Sequence, residues 1–218
     1  MKNKIVAFMP IRINSQRINE KVIMDILGRP MFCHSLEKLD SLGIPVYVYS
    51  NCEEILRNSL DFDPENVIFL RRPENLDSHE TKGIEIYKSF AKEVKSEIYL
   101  LAHCTSPFIK RGRYQEAIDA VVGGEYNSSF TAEKKQTFAW FEGEMLNFAL
   151  PRPKTQELSP VFFETSAAYC FRKEVLEDNS RTGQKSKPII TSSLESIDID
   201  NVEDLEILKL NGYRNVIF

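Results

Sequence analysis

Four short segments hold the residues whose types and spacing suggest chemistry. The first, Pro10-Ile11-Arg12-Ile13-Asn14-Ser15-Gln16-Arg17-Ile18-Asn19-Glu20-Lys21, sets Arg12, Arg17 and Lys21 among Asn, Ser and Gln. Charge and several hydrogen-bond donors in one loop suit a triphosphate, although a solvated polar loop has the same composition. It is neither a P-loop nor G-x-G-x-x-G, because no glycine precedes Gly28. The second is Ser196-Ile197-Asp198-Ile199-Asp200. On a strand both carboxylates would share a face, with Ile197 and Ile199 turned to the core. Two convergent carboxylates make a hard oxygen site suited to Mg2+ carrying nucleotide phosphates. Capping of the next helix by Asp200 or Asn201, with Asp204 at its positive end, accounts for Asn201 and Asp204 but leaves Asp198 unexplained. Spacing alone leaves both readings open.

The third segment is His103-Cys104-Thr105-Ser106-Pro107-Phe108. Its hydroxyls could hold a nucleotide, and Ser106-Pro107 is equally an ordinary helix start. His103 could be a base, but a lone histidine is more often a satisfied structural group. The fourth, Arg71-Arg72-Pro73-Glu74-Asn75-Leu76-Asp77-Ser78, is by itself a polar turn.

Strands must precede these segments for them to converge, since in open α/β sheets ligands bind beyond the carboxyl ends of strands. Periodicity supplies such strands at Ile5–Ile11, Val46–Tyr49, Val67–Leu70, Ile98–Ala102, Ser128–Ala132, Ala167–Phe171 and Ile197–Ile199. Helices are predicted over Pro30–Leu42 with Gly43 as its stop, Glu53–Leu60, Thr81–Val94, Tyr114–Val122 and Val202–Asn211. This βαβα rhythm argues for a parallel sheet covered by helices on both faces. It breaks between Glu133 and Thr165, where Thr137–Phe141 and Leu146–Phe148 flank a hairpin turn and Pro151, Pro153 and Pro160 keep the chain extended. The expected organisation is one α/β domain over residues 1–218, with an inserted arm at about 133–165.

The 218 residues carry 28 basic and 32 acidic side chains, a net charge of −4, so steering toward nucleic acid is disfavoured. A hydrophobic fraction of 42% closes a sizeable core and excludes a disordered chain. The apolar runs are far too short to cross a bilayer, and no secretory leader is expected at the N-terminus. Cys33, Cys52, Cys104 and Cys170 are scattered without C-x-x-C, as expected of free thiols in a reducing cytoplasm. Imidazole-based metal chemistry is not expected from His34, His79 and His103.

Together the four segments resemble the acylneuraminate cytidylyltransferase family, and the order matches along nearly the whole chain. The family's I-P-A-R-x-x-S-x-R-x-x-x-K-N is similar to Met9 through Arg12, Ser15, Arg17 and Lys21, with Val22 in place of the final Asn. Its R-P-x-x-L-x-x-D is similar to Arg72 through Leu76, and its Q-P-T-S-P to His103 through Pro107. Its S-I-D-I-D-x-x-x-D-L is met fully by Ser196 to Asp200 with Asp204-Leu205, while N-G-A-I-Y is replaced by Thr165-Ser166-Ala167-Ala168-Tyr169. The resemblance implies a Rossmann-like three-layer nucleotidyltransferase fold, mainly parallel, with a β-hairpin dimerisation arm. It implies Mg2+-dependent transfer of CMP from CTP to an acidic keto-sugar, a sialic-acid-like nonulosonate or similar, for surface polysaccharide synthesis. Arg12 and Lys21 would take the phosphates, and Asp198 and Asp200 the metal. Arg12, Ser15, Arg17, Arg72, Ser78, His103, Thr105 and Ser106 would bind the nucleotide. Gln136, Arg152, Lys154, Glu164 and Thr165 would lie near the sugar, the arm completing the neighbour's site in a cytoplasmic homodimer. Other readings compete, the first a nucleotidyltransferase with a different base or acceptor. Asp198-Ile199-Asp200 is literally the D-x-D of glycosyltransferases, though that motif normally sits mid-chain, and a non-catalytic nucleotide-binding homologue would share the fold.

Overall fold

The structure, a computed structural model, describes residues 3–13, 20–78, 80–201 and 203–206. The chain opens with β1 (Asn3–Pro10), the short pair β2 (Asp25–Ile26) and β3 (Arg29–Pro30), then α1 (Met31–Asp40), β4 (Val46–Ser50), α2 (Glu53–Asn58) and β5 (Val67–Arg71). It continues through α3 (Gly83–Glu93), β6 (Ser96–Ala102), α4 (Arg111–Val122), β7 (Ser128–Lys135), the hairpin β8 (Trp140–Phe141) and β9 (Glu144–Met145), β10 (Val161–Arg172) and β11 (Ser186–Thr191). Seven strands form one sheet in the order β11-β7-β10-β6-β1-β4-β5. Every neighbouring pair is parallel except those of β10, which runs against both β6 and β7.

Alternation along β1 explains the two faces. Ala7 and Met9 join a core with Phe32 and Leu36 of α1, Leu56 of α2 and Ala117 of α4. Val6 and Phe8 turn the other way, toward Ile86, Tyr87 and Phe90 of α3. There Phe8 stacks on Phe90 at 4.4 Å and meets Tyr87 edge-on at 5.8 Å. Truncating a buried phenylalanine in such a cluster costs about 3–5 kcal/mol. Helices thus cover both faces, as the rhythm of the sequence predicts, and α1 leads to Gly43 at φ 70°, a left-handed turn that suits glycine. Among the described residues no helix is long and apolar enough to cross a membrane.

Because β1, β4, β5 and β6 are parallel, the segments after them emerge along one edge of the sheet. Ala168 pairs with Ala102, so the first half of antiparallel β10 rises beyond that same edge. Two expectations need correction. Residues 197–200 are not a strand; Ile199 sits in the core and donates its N–H to the Thr105 carbonyl at 2.8 Å. Packing of the two isoleucines satisfies the alternating pattern without a ladder. The strand near this end is β11, whose Pro188 suits a sheet edge. Between β7 and β10 the predicted hairpin shrinks to two residues per strand, joined by Glu142 at φ 50° and Gly143 at φ 86°. Paired positive φ values match the twist of a tight hairpin. The last predicted helix is described only at residues 203–206, and the rest of it lies outside the described residues.

Candidate active site

At the end of β1 the N–H of Ile11 bonds the Tyr49 carbonyl of β4 at 3.0 Å, which leaves Arg12, half-buried, at the edge. Arg72 ties β5 to the same point. Its N–H bonds the Ser50 carbonyl at 2.9 Å, and its Nη1 bonds the Tyr49 carbonyl at 3.3 Å. The guanidinium is 1% exposed and pairs with Asp77. Two atoms of this pair, Arg72 Nε and Asp77 Oδ2, are buried without a hydrogen-bond partner. Ser78 closes the adjoining turn by accepting from the Glu80 N–H at 3.2 Å. Ser15 and Arg17 lie outside the described residues.

Lys21 is buried in a short 3-10 turn, Lys21–Ile23, beside Val22, which packs into the apolar core. Its ammonium donates to the Ile199 carbonyl and to Asp200 Oδ1, both at 2.9 Å. An ammonium has three protons, so one donor direction remains beyond these two bonds. The loop holding the carboxylates divides its work. Asn201 Oδ1 accepts from the Asp204 N–H, while Asp204 Oδ2 accepts from the N–H groups of Asp200 and Asn201. Capping therefore belongs to Asn201 and Asp204. Asp198 takes no part in it, and its Oδ1 is buried without a hydrogen-bond partner. Burial raises its carboxyl pKa, Thr105 works the other way, Asp200 raises it further and Lys21 opposes. Among the described residues no three His, Cys, Asp or Glu groups converge to hold an ion. Asp198 and Asp200 would supply two oxygen ligands, and phosphate oxygens and water the remainder, the usual arrangement for Mg2+. The orphaned Asp198 oxygen fits that requirement.

Across β6 stands His103. Its Nδ1 lies 2.6 Å from the Ser166 carbonyl and its Nε2 3.3 Å from the Tyr87 hydroxyl. Burial, opposed by that carbonyl, pushes its pKa down to about 4. The ring is neutral near pH 7, and a carbonyl only accepts, so Nδ1 carries the proton and Nε2 accepts from Tyr87. This is the satisfied structural histidine. Ser106 is fully buried and lends its carbonyl to Ser35, which puts its side chain among packed groups rather than on an open face. Ser166 sits at φ 58° in a register shift of β10 between Glu164 and Tyr169. Thr165 beside it is buried, its Oγ1 without a partner.

In the arm, Gln136 donates to the carbonyls of Gln156 and Leu158. Arg152 lies over Phe138 at 4.3 Å and Phe148 at 5.4 Å. Both residues hold the arm's own shape, while Lys154 opens a 3-10 turn closed by Glu157 onto its backbone N–H. Trp140 and Phe141 remain 57% and 64% exposed, and Leu146 and Leu150 of the same arm are exposed as well. The sequence reading overlooked Tyr87, Tyr169 and Arg181. Arg181 lies in a polar stretch without periodicity, so only the tertiary fold brings it to the bulge of β10, over Tyr169 at 4.0 Å.

Known proteins resemble this chain over nine-tenths or more of its length. The chain is 23% identical, over 96% of both chains, to a protein of Campylobacter jejuni named pseudaminic acid cytidylyltransferase. It is 24% identical to N-acylneuraminate cytidylyltransferase A of Danio rerio, over 90% of this chain and 48% of that one. Its fold is similar to that of a CMP:2-keto-3-deoxy-manno-octonic acid synthetase complexed with CTP, with a TM-score of 0.67 at 16% identity over 97% and 99% of the two chains. It is also similar to a 4-diphosphocytidyl-2C-methyl-D-erythritol synthase from Anaerococcus prevotii, with a TM-score of 0.65 at 15% identity over 96% and 98%. The family profile described as Cytidylyltransferase matches residues 6–210. This match makes the chain a divergent member of the cytidylyltransferase family, and the fold agrees with it.

Proposed function

We propose that the enzyme transfers CMP from CTP to a hydroxyl of an acidic keto-sugar of the nonulosonate type and releases pyrophosphate, for surface polysaccharide synthesis. The observation that carries this reading is the buried, unpartnered Asp198 oxygen beside the Lys21–Asp200 pair. The names of the relatives support the acceptor class.

Asp198 and Asp200 would hold Mg2+, which when bound would draw charge from the triphosphate and orient it. Arg12, at the end of β1, would take the phosphates together with the remaining donor of Lys21. Thr105 steadies the loop through its carbonyl, which accepts the Ile199 N–H, and the Asn201–Asp204 cap fixes the part that carries Asp200. The acceptor hydroxyl oxygen attacks the α-phosphorus in line, its proton passing to solvent, as the bond to the β-phosphate oxygen breaks and pyrophosphate leaves. Positioning and charge stabilisation supply the rate, so no enzyme nucleophile is required. His103, neutral and bonded at both nitrogens, orders the wall between β6 and β10.

The exposed aromatic arm would pair with a second copy, since patches of this kind usually meet a partner. A cytoplasmic location accords with the four free thiols, three of them buried. Pyrophosphate release from each of the four NTPs, with Mg2+ and a panel of nonulosonic and octulosonic acids, tests the reading. CTP with a nonulosonate should turn over best, and activity confined to another base or to neutral sugars would refute it.

A further inference from the structure

The register shift in β10 and the loop after it assemble charged and aromatic groups that the phosphate end of the cleft does not use. Arg181 is at their centre. Its guanidinium carbon lies 4.0 Å from the Tyr169 ring centroid, and its side chain is 34% exposed. It borders a cavity of about 310 Å³ together with Gly83, Tyr87 and Thr182. The hydrogen bonds around it have a fixed direction. His103 donates through Nδ1 to the Ser166 carbonyl, so Tyr87 must donate to His103 Nε2. Tyr87 lines the same cavity as Arg181, and its oxygen, having given its proton to His103, can act there only as an acceptor.

The carboxylate beside Arg181 forms only a loose ion pair with it. Glu164 Oε2 accepts from the Tyr169 hydroxyl at 2.8 Å and stands 3.8 Å from Arg181 Nη2, outside hydrogen-bond reach. A guanidinium has five N–H donors in a fork that matches a carboxylate, and an aromatic face beneath it holds the fork in place without using those donors. Tyr169, beneath Arg181, lies 6.3 Å from the His103 ring, and Thr105, two residues on, accepts the Ile199 N–H at 2.8 Å, so the cation and the candidate metal loop flank one short segment. A bound acid gripped at Arg181 would therefore lie beside the carboxylate loop that orders the phosphates.

We infer that Arg181, held on Tyr169, binds the carboxylate of the acceptor and selects acidic sugars from within the same subunit. This deepens the CMP-transfer reading and rests on it. Gly83 belongs to the arrangement, because a Cβ there would stand 2.9 Å from the Tyr87 hydroxyl and displace a wall of the cavity that Arg181 borders.

The test is steady-state pyrophosphate release from CTP and Mg2+, with pseudaminic acid and N-acetylneuraminic acid as probes, for the wild type, Arg181→Ala and Arg181→Lys. Loss of a charge-assisted contact should raise the KM for the turned-over acid in Arg181→Ala by roughly 10–100-fold. The KM for CTP should stay unchanged, and Arg181→Lys should recover part of the loss. An unchanged KM for the acid, or a KM for CTP that rises in step with it, overturns the assignment while CMP transfer stands. A wild-type enzyme inert toward both acids overturns the CMP-transfer reading and Arg181's role together.

Discussion

Replacing Asp198 with Asn separates a metal ligand from a structural carboxylate, because the two roles predict opposite outcomes. Asp198 Oδ1 has no hydrogen-bond partner, and burial raises the carboxyl's pKa. The folded state therefore holds this proton to higher pH than the unfolded state does. Stability falls as pH rises through the folded value, and ionised Asp198 weakens the ligand-free protein near neutrality. Asn has no proton to lose, so Asp198→Asn should be at least as stable as the wild type without ligand, with a flatter decline as pH rises. Ligand should reverse the order. Mg2+ and CTP at 100 times their dissociation constant stabilise the fold by about 2.7 kcal/mol. For a chain of this size that is a rise in Tm of roughly 5–11 °C. Asp198→Asn should lose most of that rise, and turnover should fall by at least about 10²–10³. Differential scanning fluorimetry with and without Mg2+-CTP, alongside pyrophosphate release, reads both. A variant that keeps the ligand-induced shift and near-normal turnover at low Mg2+ would refute the metal role, and one that is less stable without ligand would refute the electrostatic argument.

Lys21→Ala should lower kcat by roughly 10²–10³, since charge rearranges on the phosphates as pyrophosphate leaves; an effect confined to KM would make Lys21 a uniform binding contact. Val22 packs into the apolar core, so Val22→Asn should destabilise by about 1–3 kcal/mol through a buried amide. Its preference for CTP, read by competition among the four NTPs, should survive, and a changed base preference would show that Val22 faces the nucleotide after all. The wild type should be a dimer at micromolar concentration by light scattering, and Trp140→Glu with Phe141→Glu should make it monomeric; a monomeric wild type contradicts the arm's role.

The alternation of strands and helices was legible because β1, β4 and β6 are apolar runs of ordinary length and α1 and α3 keep helical spacing. β11 was not, because Ser186-Lys187-Pro188 reads as a loop, and only an edge position admits a proline into the ladder. The opposite error at 197–199 has a similar origin. Alternating Asp and Ile promises a strand, yet a single backbone bond to Thr105 and burial of Ile199 satisfy the segment. Within the site, the cationic loop and the paired carboxylates stand out by spacing alone. What spacing could not assign was the division between Asn201–Asp204, which cap, and Asp198, which does not. His103 left two readings open until both ring nitrogens were found bonded. Arg181 gives no local signal, since its meaning comes from a ring about a dozen residues earlier and a cavity shared with α3.

The central claim is transfer of CMP to an acidic sugar. Mass spectrometry of a reaction containing the enzyme, Mg2+, an equal mixture of the four NTPs and pseudaminic acid tests it most directly. The account predicts one new nucleotide sugar, carrying CMP, formed in step with pyrophosphate and absent when Mg2+ is chelated. A sugar carrying UMP, AMP or GMP, or CMP-sugar formed equally well after chelation, would contradict it.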